Sequence, residues 1–302
     1  MVAAPQPESS HFSLRSVVWT RGEGCGELAD AISPGAVRVE GDLEEICRAA
    51  RAELLVTRRL TNFNLVSVAV PHELDLEAVT SVTAAVAGGP HSELAAVVAR
   101  QLSESLDVSA ELVSSYGADD RRSEVRESLA MIAALVEDIP YRLIEADQPA
   151  DLTAELDAGS LLVVGAPGGS WLQRQFFGTG RRLQNRAPSG TVVVRSAPQR
   201  AFQLLRQPEA YVSPMLGTAD ALALIEFPVL PVADNGKLVG IVRRSALMLA
   251  GAGTQVGEVM EDPVAVMVDS PIDEIGQVGE ALGGAPVPVI DDDGFLVGVV
   301  GP

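Results

Sequence analysis

Short apolar segments alternate with amphipathic segments along the first two thirds of the chain, and this alternation limits the folds it can adopt. Candidate strands lie at 16–19, 36–40, 53–57, 65–70, 110–115, 141–145, 160–164 and 191–195. Candidate helices lie between them at 26–32, 43–52, 92–106, 122–136, 152–156 and 181–186. Asp42 is expected to cap the second of these helices, with Glu45 completing a capping box. Near-continuous apolar strands separated by helices are typical of a parallel sheet covered by helices, so the sequence predicts an α/β fold.

Charge and composition exclude several classes of protein. Acidic residues outnumber basic ones by 41 to 22, a net charge of −19, which disfavours binding to nucleic acid or to anionic membranes. No apolar run reaches the roughly 20 residues of a membrane span, so we expect a soluble protein without direct membrane insertion. Cys25 and Cys47 lack metal-like spacing and suit a reducing compartment, which indicates a cytoplasmic location. Residues 1–15 are polar and predict a disordered start.

Two hairpin-like segments give the last third of the chain a different character. Residues 228–242 and 287–300 each contain an apolar strand, a turn and a second apolar strand. The turns are Asn235-Gly236 and Asp293-Gly294, dipeptides that favour tight hairpins because they tolerate positive φ. The neighbouring Asp291-Asp292-Asp293 run is interpreted as part of this turn rather than as a metal site. The repeat predicts a separate α+β domain.

A glycine-rich segment that follows the apolar residues 160–164 is the best candidate for a ligand site. It contains Gly165, Gly168, Gly178 and Thr179, and arginines at 174, 181 and 182 add positive charge. Glycines let a backbone approach a ligand, and free amides at the start of a helix hold anionic oxygens. The alternative is a glycine-rich connection followed by a solvated helix.

The spacing Gly165-x₂-Gly168-x₉-Gly178-Thr179 resembles the glycine motif of the universal stress protein family. The resemblance covers about residues 63–197. It implies a flavodoxin-like α/β sandwich that dimerises through its last strand. It also implies that ATP or another adenine nucleotide is held by Gly165, Gly168, Gly178, Thr179, Gly180 and Arg181.

One position departs from that family's pattern, because no Asp follows the strand at 65–70. Glu73 or Asp75 is the candidate substitute for the missing acid. Residues 16–62 are interpreted as a degenerate half-copy of the domain that follows. The alternative is that any two strand–helix–strand units look this similar.

The two hairpin segments resemble a pair of cystathionine-β-synthase (CBS) domains over about residues 209–302. Such pairs commonly bind adenosine nucleotides and regulate an attached or partner protein. The Thr and Asp that contact ribose in that family are replaced here by Arg243-Arg244-Ser245-Ala246. Residues 201–302 hold 4 basic and 14 acidic residues, so Arg243 and Arg244 are the main candidates for phosphate neutralisation. A dimerisation or docking role for this pair is the alternative to nucleotide binding.

Together these features predict a regulatory protein that is not an enzyme. The expected organisation is a half-domain at 16–62, a stress-protein-like domain at 63–197, a linker at 198–208 and a CBS-like pair at 209–302. The expected ligand is an adenine nucleotide, and the expected assembly is a homodimer. The alternative function is an interaction module without a ligand, associated with a transporter or an enzyme.

Overall fold

The computed structural model describes residues 13–58, 64–116, 122–136, 139–145, 154–166, 187–206 and 211–301. The chain divides into two compact units, residues 1–197 (unit 1) and 198–302 (unit 2). The predicted disordered start lies mainly, and the predicted helix at 181–186 wholly, outside the described residues. Of the predicted helix at 152–156, the structure describes residues 154–156, of which only residue 154 is helical.

Unit 1 is built on one nine-stranded sheet, which confirms an α/β protein with a large, mostly parallel sheet. Its strands are β1 Val17–Trp19, β2 Val37–Arg38, β3 Leu54–Val56, β4 Ser67–His72, β5 Ser81–Ala85, β6 Ser109–Tyr116, β7 Tyr141–Glu145, β8 Ser160–Gly165 and β9 Thr191–Arg195. Their spatial order is β2-β1-β3-β4-β9-β8-β5-β6-β7. Valine and leucine dominate the central strands, and side chains of alternate residues enter hydrophobic clusters on opposite faces of the sheet.

The sheet consists of two blocks of parallel strands, and the two blocks run antiparallel to each other where they meet. All pairings within β2-β1-β3-β4 and within β9-β8-β5-β6-β7 are parallel, whereas β4 and β9 pair antiparallel. When β5 to β9 are numbered 1 to 5 along the chain, the second block has the strand order 3-2-1-4-5, which differs from the 2-1-3-4-5 order of flavodoxin-like sheets. If β7 is left out and the strands of each block are numbered along the chain, both blocks have the order 2-1-3-4.

Two strand assignments from the sequence need correction. The sequence predicts residues 65–70 as the first strand of the second domain, but β4 pairs in parallel with β3 and closes the first block. The first strand of the second block is β5, which sequence analysis missed. The sheet therefore runs without interruption across the predicted boundary at residues 62 and 63.

The position of β9 also corrects the expected mode of dimerisation. Both of its edges are paired, one with β8 and the other with β4. A second copy of the chain therefore has no free edge of this last strand to pair with.

Four helices described in unit 1 connect these strands. They are α1 Cys25–Ile32, α2 Leu43–Ala49, α3 Pro90–Leu106 and α4 Arg122–Leu135. Asp42 caps α2 as predicted, because its side chain accepts hydrogen bonds from the backbone N–H groups of Glu44 and Glu45. One face of helix α3 is deeply buried, and its alanines at 95, 96 and 99 are fully inaccessible. Their small side chains let α3 pack closely on the second block.

Unit 2 contains the two predicted hairpins. Its elements are α5 Ala201–Leu204, α6 Thr218–Leu224, β10 Val229–Asp234, β11 Lys237–Arg243, α7 Arg244–Leu249, β12 Val266–Met267, α8 Ile272–Ala281, β13 Val287–Ile290 and β14 Leu296–Val300. β10 pairs with β11 and β13 with β14, both antiparallel. The turns are at Asn235-Gly236 and before Gly294, and all three residues have positive φ.

Residues 198–208 were predicted to form a linker, but their described part begins unit 2. Phe202 is 2% exposed, and its backbone N–H donates to the carbonyl of Val268. Arg206 forms a bridge with Val299, in which each backbone N–H donates to the other's carbonyl at 2.9 Å. The apolar side chains of helix α5 pack into the core of unit 2. Pro198 and Pro208 on either side of it favour the prediction of a linker instead.

The two hairpins contact each other in a reciprocal arrangement. The Leu238 N–H donates to the Gly294 carbonyl at 3.1 Å, and the Leu296 N–H donates to the Gly236 carbonyl at 2.8 Å. Leu238 and Leu296 occupy the same position in the two repeats, so a pseudo-twofold axis relates the hairpins. Lys237 lies over the ring of Phe295 at this contact, with 5.0 Å between Nζ and the ring centroid.

Candidate functional site

The carboxyl ends of β5 and β8 form the candidate site of unit 1. The two strands are neighbours and run parallel, with Ala85 paired to Val164. The chain passes from β5 to β6 on one side of this point and from β8 to β9 on the other side. Ligands of open α/β sheets bind in the crevice at such a reversal of strand order. Gly165 ends β8 there, so the sequence motif begins at the edge where a ligand is expected.

Gly165 has a packing role at this edge. A Cβ on Gly165 would lie 2.9 Å from the Cβ of His91 and 3.0 Å from its carbonyl carbon. His91 is in the first turn of α3, so only a glycine lets this helix approach the end of β8 so closely. The structure therefore explains Gly165 without a ligand, and its role in nucleotide binding stays a prediction.

The remaining predicted ligand residues, Gly168, Gly178, Thr179, Gly180 and Arg181, lie outside the described residues. Their role in binding an adenine nucleotide also stays a prediction. Ala166, the last described residue before them, lies at the end of β8, where its N–H donates to the Val194 carbonyl.

A second glycine turn lies beside Gly165, and sequence analysis missed it. Gly88 and Gly89 join β5 to α3 with φ values of 93° and 79°. Ser92 fixes the turn, because its hydroxyl accepts from the Ala87 N–H and donates to the Gly88 carbonyl, both at 3.0 Å. The signal was the Gly88-Gly89-Pro90 sequence, since proline suits the first position of a helix. It was missed because β5 itself was not recognised.

His91 connects this turn to the end of β9. Its Nδ1 accepts a hydrogen bond from the backbone N–H of Ser196 at 3.1 Å. Burial, and to a lesser extent the Arg195 guanidinium, hold the pKa of His91 below its ordinary value. The imidazole is therefore neutral near pH 7.

The described residues at this crevice do not include the Asp that the universal stress protein pattern has after its first strand. β5 is followed by Val86 and Ala87, neither of which carries a charge. Glu73 and Asp75 cannot replace it, because they follow β4, whose end lies beside the start of β9. The Asp75 N–H donates to the Ser189 carbonyl at 3.3 Å, at the opposite edge of the sheet from Gly165. This corrects the expectation that either residue substitutes.

The two arginines proposed to neutralise phosphate in unit 2 are both engaged within it. Arg243 Nε donates to both carboxylate oxygens of Glu261, at 2.9 and 3.1 Å. Arg244 Nη2 donates to the Ile225 carbonyl at 2.9 Å. A polyphosphate that used either guanidinium would have to displace these contacts.

The acidic run at the second hairpin is a turn. The Asp291 carboxylate accepts from the N–H groups of Asp293 and Phe295, at 3.0 and 2.8 Å. Within the described ranges, no group of three or more histidine, cysteine or acidic residues could hold a metal ion. No helix in that part of the chain is long and apolar enough to cross a membrane.

Comparisons with known proteins concern about a third of the chain. No protein-family model matches the sequence, and no curated protein matches it. Among solved structures, the CBS-pair protein CBSX2 from Arabidopsis thaliana is 24% identical, with a TM-score of 0.30 over 33% of this chain and 86% of its own. The CBS pair of protein MJ0100, solved with 5′-methylthioadenosine and S-adenosyl-L-methionine, is 26% identical, with a TM-score of 0.30 over 34% and 92%.

A third similar structure is the cytosolic domain of the Mg²⁺ channel MgtE in complex with ATP. It is 25% identical, with a TM-score of 0.31 over 34% of this chain. This chain spans 45% of that domain's length, less than half. Several of the similar structures are CBS pairs, and the likeness to them falls on the C-terminal part of the chain.

Proposed function

We propose that the chain is a regulatory protein that binds an adenine nucleotide at the carboxyl ends of β5 and β8. The observation that carries the proposal is the position of Gly165, which starts the glycine motif at the point where the strand order reverses. In this proposal the backbone of the motif and of the Gly88-Gly89 turn surrounds the phosphates, and Arg181 adds charge to them.

Unit 2 is proposed to act as a CBS-like regulatory pair rather than as the main nucleotide site. Its two hairpins have the reciprocal contact of a paired repeat. The engagement of Arg243 by Glu261 and of Arg244 by Ile225 argues against strong polyphosphate binding there. Its proposed roles are therefore assembly with a second copy, or response to a second signal. The chain contributes no catalytic group in this proposal.

Calorimetric titration of the full chain with ATP and AMP, after removal of any nucleotide that co-purifies with it, tests the proposed site. We expect one nucleotide per chain in unit 1, and Gly168→Arg and Gly178→Arg should each weaken binding about ten-fold or more, because a long side chain would fill the loop. Gly276→Arg is the matched control, since Gly276 lies on α8 with open space around its Cβ position. Wild-type affinity in all three variants would remove the site.

A second candidate function is an interaction module without a ligand, associated with a transporter or an enzyme. It is favoured by the apolar side chains exposed on the contacting helices α6 and α7. Leu224, Met248 and Leu249 are 48%, 67% and 88% exposed. Large exposed apolar side chains that cluster often mark a protein contact. A stable partner recovered with the purified chain, together with no nucleotide binding, would favour this function.

A further inference from the structure

Two helices of unit 2, α6 and α7, pack against each other and carry an exposed apolar surface. Its apolar side chains are Leu224 on α6 and Met248 and Leu249 on α7, and all three are exposed. One acid, Asp220, and one base, Arg244, are exposed on the same two helices. We call these five residues the α6–α7 patch. Exposed apolar side chains that cluster in this way often mark a contact with another protein.

Hydrogen bonds at both ends of α6 and α7 show that the two helices run antiparallel. The Arg244 Nη2, at the start of α7, donates at 2.9 Å to the carbonyl of Ile225, which follows the end of α6. The Thr218 N–H, at the start of α6, donates at 3.0 Å to the carbonyl of Thr254, which follows α7. The start of each helix therefore lies towards the end of the other.

The two charged residues are at opposite corners of the patch. Asp220 is four residues before Leu224 on α6, and residues four apart lie on the same face of a helix. Arg244 is likewise four residues before Met248 on α7. Because the helices are antiparallel, Arg244 is at the Leu224 end of the patch, and Met248 is at the Asp220 end. One diagonal of the patch is therefore charged, with Asp220 and Arg244, and the other is apolar.

We propose that the α6–α7 patch is a contact between two copies of the chain, related by a twofold axis along the apolar diagonal. Such an axis exchanges the charged corners, so Asp220 of each copy faces Arg244 of the partner subunit. Leu224 and Met248 lie along the axis and meet their own copies. The guanidinium of Arg244 has five N–H groups, and its hydrogen bond to Ile225 uses one of them. This inference rests on the proposed role of unit 2 in assembly with a second copy.

The charges of unit 2 favour a second copy at this patch over other occupants. Residues 201–302 hold 14 acidic and 4 basic residues, so an anionic membrane would repel the unit. Helix α8, which precedes the second hairpin as α6 precedes the first, exposes Ile272, but Asp273 and Glu274 are exposed beside it. Two copies of the α8 surface would repel each other. Only the α6–α7 patch presents an acid and a base that a twofold axis brings together, so the contact closes as a dimer.

Sedimentation velocity of the full chain over a series of concentrations tests this contact. We expect the wild type to form a dimer. Met248→Glu should raise its dissociation constant about ten-fold or more, because the contact would bury an unpaired charge among apolar side chains. Met131→Glu is the matched control and should leave the dimer unchanged, since Met131 on α4 is 68% exposed and Met248 is 67% exposed. A monomeric wild type would overturn the inference and leave the patch to a different partner, and a dimer that Met248→Glu leaves intact would overturn it as well.

Exchange of the two charges tests the twofold arrangement itself. Asp220→Arg should raise the dissociation constant about ten-fold or more, because the introduced arginine faces Arg244 of the partner subunit. Combining it with Arg244→Glu should restore most of the affinity, since a base and an acid meet again. A double variant that dimerises no more tightly than Asp220→Arg alone would overturn the inference. Nucleotide binding by unit 1 would stand after any of these outcomes, because the titration of the glycine variants tests it separately.

Discussion

Replacing Gly190 with alanine is expected to lower the free energy of unfolding of unit 1 by about 3–4 kcal/mol. Gly190 immediately precedes β9 and has a φ of 100°, a conformation that residues with a side chain rarely adopt. A Cβ there would lie 2.5 Å from the Glu73 carbonyl oxygen and 2.9 Å from that of His72. Both atoms belong to the backbone at the end of β4, so the substitution would force apart the two blocks of the sheet where they meet.

Gly35→Ala is the matched control for this substitution. Gly35 also has a positive φ, 88°, but no atom lies within 4 Å of its Cβ position. Its substitution should cost only the backbone strain, about 1 kcal/mol. Denaturant unfolding followed by tryptophan fluorescence reports on unit 1, because the two tryptophans of the chain, Trp19 and Trp171, both belong to it. Equal losses in the two variants would contradict the close contact between β4 and β9.

The second large effect is expected at Gly240 and Gly298, which occupy equivalent positions in the two repeats of unit 2. A Cβ at Gly240 would lie 2.6 Å from the Glu261 carbonyl oxygen, and one at Gly298 would lie 2.6 Å from that of Arg206. In both repeats a segment of backbone pairs antiparallel with the second strand of the hairpin beside this glycine, through the bridges of Ile241 with Glu261 and of Val299 with Arg206. Either glycine-to-alanine change should destabilise unit 2 by about 2–3 kcal/mol, because overpacking against backbone is relieved only by moving the segment.

Gly276→Ala should have the opposite effect on the same unit. Gly276 lies in α8, and no atom lies within 4 Å of its Cβ position. Alanine there should stabilise unit 2 by about 0.5–1 kcal/mol, because glycine is a poor helix former. Unfolding followed by far-ultraviolet circular dichroism detects unit 2, whose transition has no tryptophan signal. Gly240→Ala or Gly298→Ala with wild-type stability would contradict the close backbone contact at these glycines.

Local sequence signals were sufficient for the elements whose residues have strong preferences. β8 and β9 are runs of valine and leucine, and the prediction that they are buried strands is confirmed. The two hairpins were recognised from Asn-Gly and Asp-Gly turns, which constrain the backbone regardless of the rest of the fold. These features also located the end of β8, and so one side of the candidate site.

Elements that depend on distant partners could not be predicted in the same way. β5 has the sequence Ser-Val-Thr-Ala-Ala, whose small residues favour no single conformation. It becomes a strand because it lies between β6 and β8. The pairing of β4 with β9 joins residues more than a hundred positions apart, so no local pattern indicates it. Without β5, neither the Gly88-Gly89 turn nor the contact of His91 with Ser196 could be inferred.

The most direct test of nucleotide binding is mass spectrometry of the small molecules released by heat from the freshly purified full chain. We expect an adenine nucleotide in an amount close to one per chain, and its loss in Gly168→Arg. Release of no adenine nucleotide from the wild type would contradict nucleotide binding by unit 1 and favour the interaction module.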